Sequence, residues 1–398
     1  MSEKEHAEKR ALIAMSGGVD SSVAAALMLK MGYECIGVTM KLYSNEDIGV
    51  CRTHTCCSLD DVEDARAVAG RLGMRYYVFN FADDFQEKVI DKFIRTYEEG
   101  GTPNPCIDCN RYMKFDKLYD RARELSCSTI VTGHYARTHY DEKSGRWQLL
   151  RSENPAKDQT YVLYAMTQDQ LAHTVFPLGS YRDKEQVRQT AEAYGFVNAQ
   201  KPDSQDICFV QNGDYGDFIE RQTGHTYPHG RFVDEDGRVL GEHKGLIRYT
   251  IGQRKGLGLA LPHPMYVKAK DMEKNEVILS EDSGLYSSRL AAGDFNWIWW
   301  PGAEKTCHSE DIENGTGQQY AGAYAGQNRP AAGTVLRAPA KPRYRALEAA
   351  GTAVVLDDGG VSFTFDEPQR ALTLGQALVL YDGERVIGGG TITSVPRT

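Results

Sequence analysis

The chain has 398 residues, with 46 Lys and Arg against 55 Asp and Glu and a formal net charge of −9. That length allows two or three domains, each with its own core, and the acidic balance argues against a protein that holds nucleic acid by general phosphate attraction alone. No apolar run approaches the length of a membrane span, the charged start Met1–Arg10 does not read as a signal peptide, and nine cysteines without one point to reduced thiols in a soluble, cytoplasmic protein.

In chain order, the apolar stretch Ala11–Met15 reads as a strand, Ser16-Gly17-Gly18-Val19-Asp20-Ser21-Ser22 as a glycine-rich turn, and Val23–Lys30 as a helix. A strand, a tight turn and a helix start make an anion cradle, because glycine lets backbone N–H groups approach a ligand and the helix N-terminus adds partial positive charge. The turn is neither a Walker loop nor GxGxxG. SGGVDSS is the signature of the PP-loop ATP pyrophosphatases, and the alternative, a turn in which Ser16 merely caps a helix, explains fewer of its seven residues.

Further strands are expected at Cys35–Met40, Tyr76–Asn80 and Thr129–Thr132, with helices at Leu59–Leu72, Phe85–Tyr97 and Phe115–Leu125. That alternation predicts an α/β, doubly wound parallel sheet with ligands at the carboxyl ends of its strands, where both the cradle and Gly133-His134 fall. The cluster Cys51, His54, Cys56 and Cys57 matches no zinc spacing and is read as a loop.

Cys106 and Cys109 lie in Thr102-Pro103-Asn104-Pro105-Cys106-Ile107-Asp108-Cys109-Asn110, read as a rigid turn before a helix starting near Arg111. A helix N-terminus beside a thiol favours the thiolate. Cys208 lies far downstream in Asp203-Ser204-Gln205-Asp206-Ile207-Cys208-Phe209. Three readings stay open: a redox or persulfide pair of Cys109 with Cys208, a metal or iron–sulfur site on Cys106, Cys109 and Cys208, and a structural zinc half-site.

From about Gly213 short segments broken by glycine, proline and histidine suggest a small linking domain. After Leu290 the pattern is β-like, with Ala353–Leu356, Val361–Phe365 and Ala377–Tyr381 separated by Asp-Gly turns, read as a C-terminal β-barrel. The expected domains are residues 1–212, 213–290 and 291–398. The stretch Pro301–Gly333 is expected to be a loop or insertion. Two basic runs with an aromatic in each, Arg337–Arg345 and Arg248–Lys255, suggest an RNA surface.

SGGVDSS, NPCIDCN, Gly133-His134-Tyr135-Ala136-Arg137, Lys157-Asp158-Gln159-Thr160-Tyr161, DSQDICF, Tyr249–Gly258 (YTIGQRKGLG) and Gly388-Gly389-Gly390 occur here in one order. In that order the chain resembles, over nearly its whole length, the tRNA-specific 2-thiouridylases (the MnmA family). The resemblance implies ATP-dependent conversion of the wobble uridine of tRNA to 2-thiouridine. The C2 carbonyl is activated as an O-adenylate, and the sulfur arrives as a persulfide from a donor or relay protein. Glutamate, glutamine and lysine tRNAs are the expected substrates.

By the same resemblance, Ala14, Met15, Ser16, Gly17, Gly18, Val19, Asp20 and Ser21 would hold ATP, with Met40 and Gly133 lining its pocket. The charge of Asp20 would favour Mg²⁺ on the departing pyrophosphate. Cys208 matches the persulfide carrier and Cys109 its partner thiol, leaving a disulfide to be reduced. Asn104, Pro105 and Cys106 match the segment at the target base. His134, Lys157, Asp158, Gln159, Arg343, Tyr344 and Gln376 match further tRNA contacts, and an unstacked anticodon-loop base suits such a site better than a duplex.

Two departures from the family pattern stand out: Cys106 replaces an acid found in some members, and Pro301–Gly333 is longer than the usual connection. Cys106 completes a CxxC, so a [4Fe-4S]-dependent thiolase with Cys106, Cys109 and Cys208 as ligands is the alternative to the persulfide scheme. A PP-loop amide-forming ligase and a non-catalytic RNA-binding protein are further alternatives with no use for the thiol pair.

Overall fold

The computed structural model describes residues 9–43, 59–202, 207–210, 214–300 and 329–396. The expected loops at Cys51–Cys57 and most of Pro301–Gly333, and residues 203–206 of the DSQDICF motif, lie outside them.

The first strand, β1 (Arg10–Ala14), has Ala11, Leu12 and Ile13 fully buried, as suits a central strand covered on both faces. It is followed by α1 (Val19–Lys30), β2 (Glu34–Lys41), α2 (Leu59–Arg71) and β3 (Arg75–Asn80). A continuous helical stretch α3 covers Ala82–Phe85, Gln86–Ile90 and Asp91–Glu98, and a second, α4, covers Pro105–Asp108, Cys109–Lys117 and Leu118–Glu124, the middle part of each being π-wound.

Strand β4 (Thr129–Val131), a hairpin of β5 (Ala136–Asp141) and β6 (Arg146–Arg151), a short helix α5 (Gln168–Ala172), β7 (Thr174–Val175) and α6 (Lys184–Ala193) complete this part.

The sheet order is β3-β2-β1-β4-β7 with every pairing parallel. Helices cover both faces. Val23 and Ala24 of α1, Ala65 and Val68 of α2 and Val187 and Ala191 of α6 share one apolar cluster, while Leu118 and Ala122 of α4 pack with Leu12, Ile36 and Val38 in another. The doubly wound expectation holds. Strand order reverses between β1 and β4, so a crevice opens beyond their carboxyl ends, where such sheets bind ligands.

Helix α4 begins earlier than the sequence reading placed it. Asn104 accepts the backbone N–H of Cys106 through Oδ1 at 3.2 Å and Pro105 takes the first helical position, where no N–H is needed. The segment read as a rigid turn is therefore the first turn of the helix. Cys106 lies in that turn and Cys109 one turn further in, so the N-terminal dipole acts on Cys106 more directly than on Cys109.

After α7 (Tyr215–Thr223), strands β8 (Gly230–Val233), β9 (Val239–His243), β10 (Tyr266–Asp271) and β11 (Glu276–Ser280) form a sheet ordered β10-β11-β8-β9. Phe232, Val267, Val277 and Leu279 centre its small core.

The barrel is built from β12 (Tyr286–Trp297), β13 (Val335–Lys341), β14 (Ala349–Val355), β15 (Val361–Arg370), β16 (Ala377–Asp382) and β17 (Arg385–Ser394). Its order β12-β15-β14-β13-β16-β17 closes through β12–β17 pairing. Its first strand starts ahead of residue 291, and the β5–β6 hairpin extends the barrel sheet where Arg385 faces Leu150. Tyr161, fully buried between the two regions, donates its hydroxyl to the Ala377 carbonyl at 2.8 Å.

Candidate active site

The turn after β1 is held open by side chains from distant parts of the chain. Ser16 N–H donates to Ser21 Oγ at 3.2 Å, and Ser21 and Ser22 hydroxyls donate back to the Gly18 carbonyl. Asn198 Nδ2 donates to the Gly17 carbonyl at 2.8 Å and to Ser22 Oγ at 3.0 Å. Thr39 Oγ1 donates to the Met15 carbonyl at 2.7 Å.

Two glycines set the clearances. Gly17 has φ +73°, and a Cβ there would lie 2.4 Å from the Asp61 carbonyl oxygen; a Cβ on Gly133 would lie 2.8 Å from Ser21 N. Both approaches are backbone against backbone. Gly18 caps α1 without any side chain over the helix start. The result is a glycine-lined helix N-terminus whose first N–H groups are left for an anion, and the donor set fits the phosphates of a nucleotide.

Asp20 stands at the edge of this cradle. Lys184 Nζ lies 2.7 Å from each of its carboxylate oxygens, and Tyr135 donates its hydroxyl to Asp20 Oδ1 at 2.7 Å. Gln159 in turn accepts the Tyr135 backbone N–H at 2.9 Å. With both oxygens engaged by Lys184, Asp20 is not preset as a metal ligand. Neither Lys184 nor Asn198 carried a signal in the sequence, since each is brought to the turn only by the fold.

The described thiols divide into two sets. Cys35 and Cys127 are buried, and burial pushes them up to about 12 and about 11, so they stay protonated and inert. Cys106 is exposed, and Cys109 and Cys208 are half-buried. Cys109 on α4 and Cys208 pack against the same aromatic cluster, which includes Phe93, Phe209 and Phe218. Tyr43, just past β2, donates its hydroxyl to the Cys208 carbonyl at 2.9 Å. Met40, expected at the nucleotide pocket, packs against this cluster and the sheet core alike.

The three-thiolate reading is not favoured. Among the described residues, which include Cys106, Cys109 and Cys208, no group of three or more His, Cys, Asp or Glu side chains is placed to hold a metal ion. Cys106 instead lies on the side of Tyr344, whose hydroxyl is pushed up by burial and by the charges of Asp158 and Cys106.

The segment before Cys106 is tied to the barrel. Leu374 accepts the Thr102 N–H at 2.8 Å, Gln376 Nε2 donates to the Thr102 carbonyl at 2.8 Å, and Arg111 of α4 pairs with Asp294 of β12. Tyr344 donates to the Asp158 carbonyl at 3.4 Å. Asn104, Pro105, Cys106, Asp158, Tyr344 and Gln376 are thus gathered at one junction.

Several of these residues already have internal work. Asp158 accepts from Ser152 N–H at 3.1 Å and Thr160 Oγ1 at 2.7 Å, and Arg343 donates to the Arg370 carbonyl at 3.2 Å. Lys157 is half-buried beside them. His134 is buried, 2.8 Å from Thr132 Oγ1 through Nδ1 and 3.5 Å from Lys114 through Nε2. Burial, reinforced by the Lys114 charge, holds its pKa well below the usual imidazole value, so the ring is neutral.

The basic runs are less open than their composition suggested. Arg248 is held by Asp214, Asp217 and Glu220 at 3.4, 2.8 and 2.7 Å, and Arg337 is bidentate to Asp366. Arg254, Lys255 and Arg345 face solvent.

A parallel doubly wound sheet with an SGGVDSS cradle at its switch point defines a PP-loop nucleotide-binding enzyme, which uses ATP. Residues 9–212 match the tRNA methyl transferase HUP domain, 216–281 the tRNA methyl transferase PRC-barrel domain, and 324–392 the aminomethyltransferase β-barrel domain. Proteins named tRNA-specific 2-thiouridylase MnmA are similar over nearly full length. That of Symbiobacterium thermophilum is 47% identical, with 96% of this chain and 92% of the relative covered. Those of Moorella thermoacetica and Acetivibrio thermocellus are 48% and 45% identical, covering 96% and 97% of this chain and 99% of each relative.

The chain belongs to the tRNA-specific 2-thiouridylase family. A solved U34-tRNA thiolase, NcsA from Methanococcus maripaludis with its [4Fe-4S] cluster, is 15% identical at a TM-score of 0.31, covering 56% of this chain and 68% of that one, too distant to bear on the chemistry. Among the described residues no helix is long and apolar enough to cross a membrane.

Proposed function

We propose that this chain is a tRNA uridine 2-sulfurtransferase in which Cys109 and Cys208 act as a thiol pair and Cys106 does not take part in sulfur chemistry. The observation that carries this division of roles is that Cys109 and Cys208 pack on one aromatic cluster, whereas Cys106 faces solvent beside Tyr344.

In this reading the backbone of Ala14–Ser21 holds the phosphates of ATP, with Met40 and Gly133 lining the site. The uridine C2 oxygen attacks the α-phosphorus, and pyrophosphate leaves. Cys208 carries the incoming sulfur as Cys208–S–SH. The Cys109 thiolate attacks the inner sulfur, forming the Cys109–Cys208 disulfide and releasing HS⁻, which adds at C2 and expels AMP. A thiol reductant then returns two electrons to the disulfide. The sulfur donor is a persulfide-bearing protein, and the substrates are the glutamate, glutamine and lysine tRNAs.

Mg²⁺ would ride on the nucleotide's own phosphates, because Lys184 engages both oxygens of Asp20. Asn104, Pro105 and Cys106 would face the target base, and Lys157, Asp158, Gln159, His134, Arg343, Tyr344 and Gln376 would form or shape the tRNA surface around it. Asp158, Gln159 and Gln376 do so chiefly by fixing loops, given their internal hydrogen bonds. The neutral, buried His134 braces the floor of the pocket. Residues 1–212 serve as the catalytic domain, 213–290 as the link and 291–398 as the barrel that presents the RNA.

The test is single-turnover thiolation of unmodified glutamate tRNA by persulfide-loaded protein carrying Cys106→Ala, Cys109→Ala or Cys208→Ala, with iron determined alongside. Cys106→Ala should stay within about threefold of wild type, while the other two should fall by at least ~100-fold. Loss of activity in all three variants, tracking bound iron, would overturn the assignment.

A further inference from the structure

Where the three regions meet, a cavity of about 300 Å³ is lined by Glu99 and Gly100 after α3, by Lys268 and Lys270 of β10, and by Leu285, Leu372 and Leu374 at the barrel. Lys270 is 7% exposed, and its Nζ has no hydrogen-bond partner among the described residues. No described carboxylate lies within ion-pair distance of it. Lys268 on the same strand is committed to Glu235. The Tyr97 ring lies 6.0 Å from Lys270 Nζ, at the outer limit of a cation–π contact, and does not replace the lost hydration of an ammonium.

A buried lysine without an acceptor is costly, and a ligand that brings an acceptor into the cavity would remove that cost. Leu285, Leu372 and Leu374 line the same cavity and offer an apolar surface to the body of such a ligand.

We propose that this cavity binds a small organic monoanion, its carboxylate on Lys270 Nζ and a short aliphatic body against Leu285, Leu372 and Leu374. Burial lowers Lys270 to about 8, so the amine is still largely protonated at neutral pH and an anion would hold it so. None of its lining residues belongs to the nucleotide cradle or is a cysteine, although Leu374 also accepts the Thr102 N–H ahead of Cys106.

The experiment titrates hexanoate into the full-length protein and follows the melting temperature, with hexanol and inorganic phosphate run in parallel. Labelling of Lys270 by reductive methylation is read by mass spectrometry. Hexanoate should raise the melting temperature saturably and slow Lys270 labelling at least fivefold, whereas equal hexanol should do neither. Lys270→Met, which keeps the apolar stem, should weaken hexanoate at least tenfold. Three results would each overturn the proposal: unprotected Lys270 in the wild type, equal binding to Lys270→Met, or phosphate displacing hexanoate at lower concentration.

Discussion

Lys184 Nζ is equidistant, at 2.7 Å, from the two carboxylate oxygens of Asp20, although 164 residues separate them. The pair is mostly shielded, with side-chain exposures of 15% for Lys184 and 28% for Asp20. Tyr135 adds its hydroxyl to the same carboxylate. The lysine offsets the negative charge of Asp20 at the edge of a cradle shaped for an anion.

Lys184→Met should therefore raise the KM for ATP by about tenfold or more, because an uncompensated Asp20 would repel phosphate. Lys184→Arg should recover part of the loss. Pyrophosphate release in the presence of tRNA measures both variants. An unchanged KM would mean that the lysine only braces the fold.

Gly133→Ala should damage the same step by a different route. Its Cβ would lie 2.8 Å from Ser21 N and 2.9 Å from the Asp20 carbonyl carbon, both backbone atoms that cannot swing away. Destabilisation of about 1–3 kcal/mol is expected, with loss of ATP binding. Urea unfolding with and without ATP separates the two effects, and a variant as stable as wild type would contradict the clearance argument.

Acid should weaken the fold through its buried histidines. Burial lowers both His134 and His243 from their ordinary 6.5. Below that pH the unfolded chain takes up protons that the folded chain refuses. Stability is thus complete above pH 6.5 and falls as the pH drops beneath it, with a slope of up to about 1.4 kcal/mol per pH unit for each ring. His134→Gln should flatten the decline between pH 6.5 and 5.5 in urea titrations; coincident profiles would assign it elsewhere.

Tyr344 is 37% exposed beside Asp158 and Cys106, with its ring 5.7 Å from that of Tyr161. As a stacking platform its loss in Tyr344→Ala should weaken tRNA binding by about 1–3 kcal/mol, and Tyr344→Phe should keep most of it. Filter binding at two salt concentrations checks this: stacking predicts a loss that salt changes little.

Four of the parallel strands were legible because each is an apolar run between glycine-rich or polar breaks, whereas β7, two residues long, gave no such run. Thr129–Val131 and Glu34–Lys41 lie within a residue or so of expectation. The start of α4 was missed because prolines at 103 and 105 suggested a turn, while Asn104 before Pro105 is in fact a cap and a first helical residue. The cradle was readable as a local motif, but Lys184 and Asn198 were not, since only long-range folding brings them to it. Likewise the ion pairs of Arg248 were not readable, because its partners Asp214, Asp217 and Glu220 lie at the cap and in the body of α7, about 30 residues upstream.

The β5–β6 hairpin leans on a strand made much later. Arg151 donates to the Gly383 carbonyl across 232 residues of chain. At usual synthesis speeds of about 5–20 residues per second, the hairpin emerges from the ribosome roughly 10–50 s before its neighbour exists. Throughout that wait β6 has a raw edge, and Tyr161 has no barrel to enter. Slowing translation between residues 151 and 383 should therefore cost soluble yield more than slowing it elsewhere.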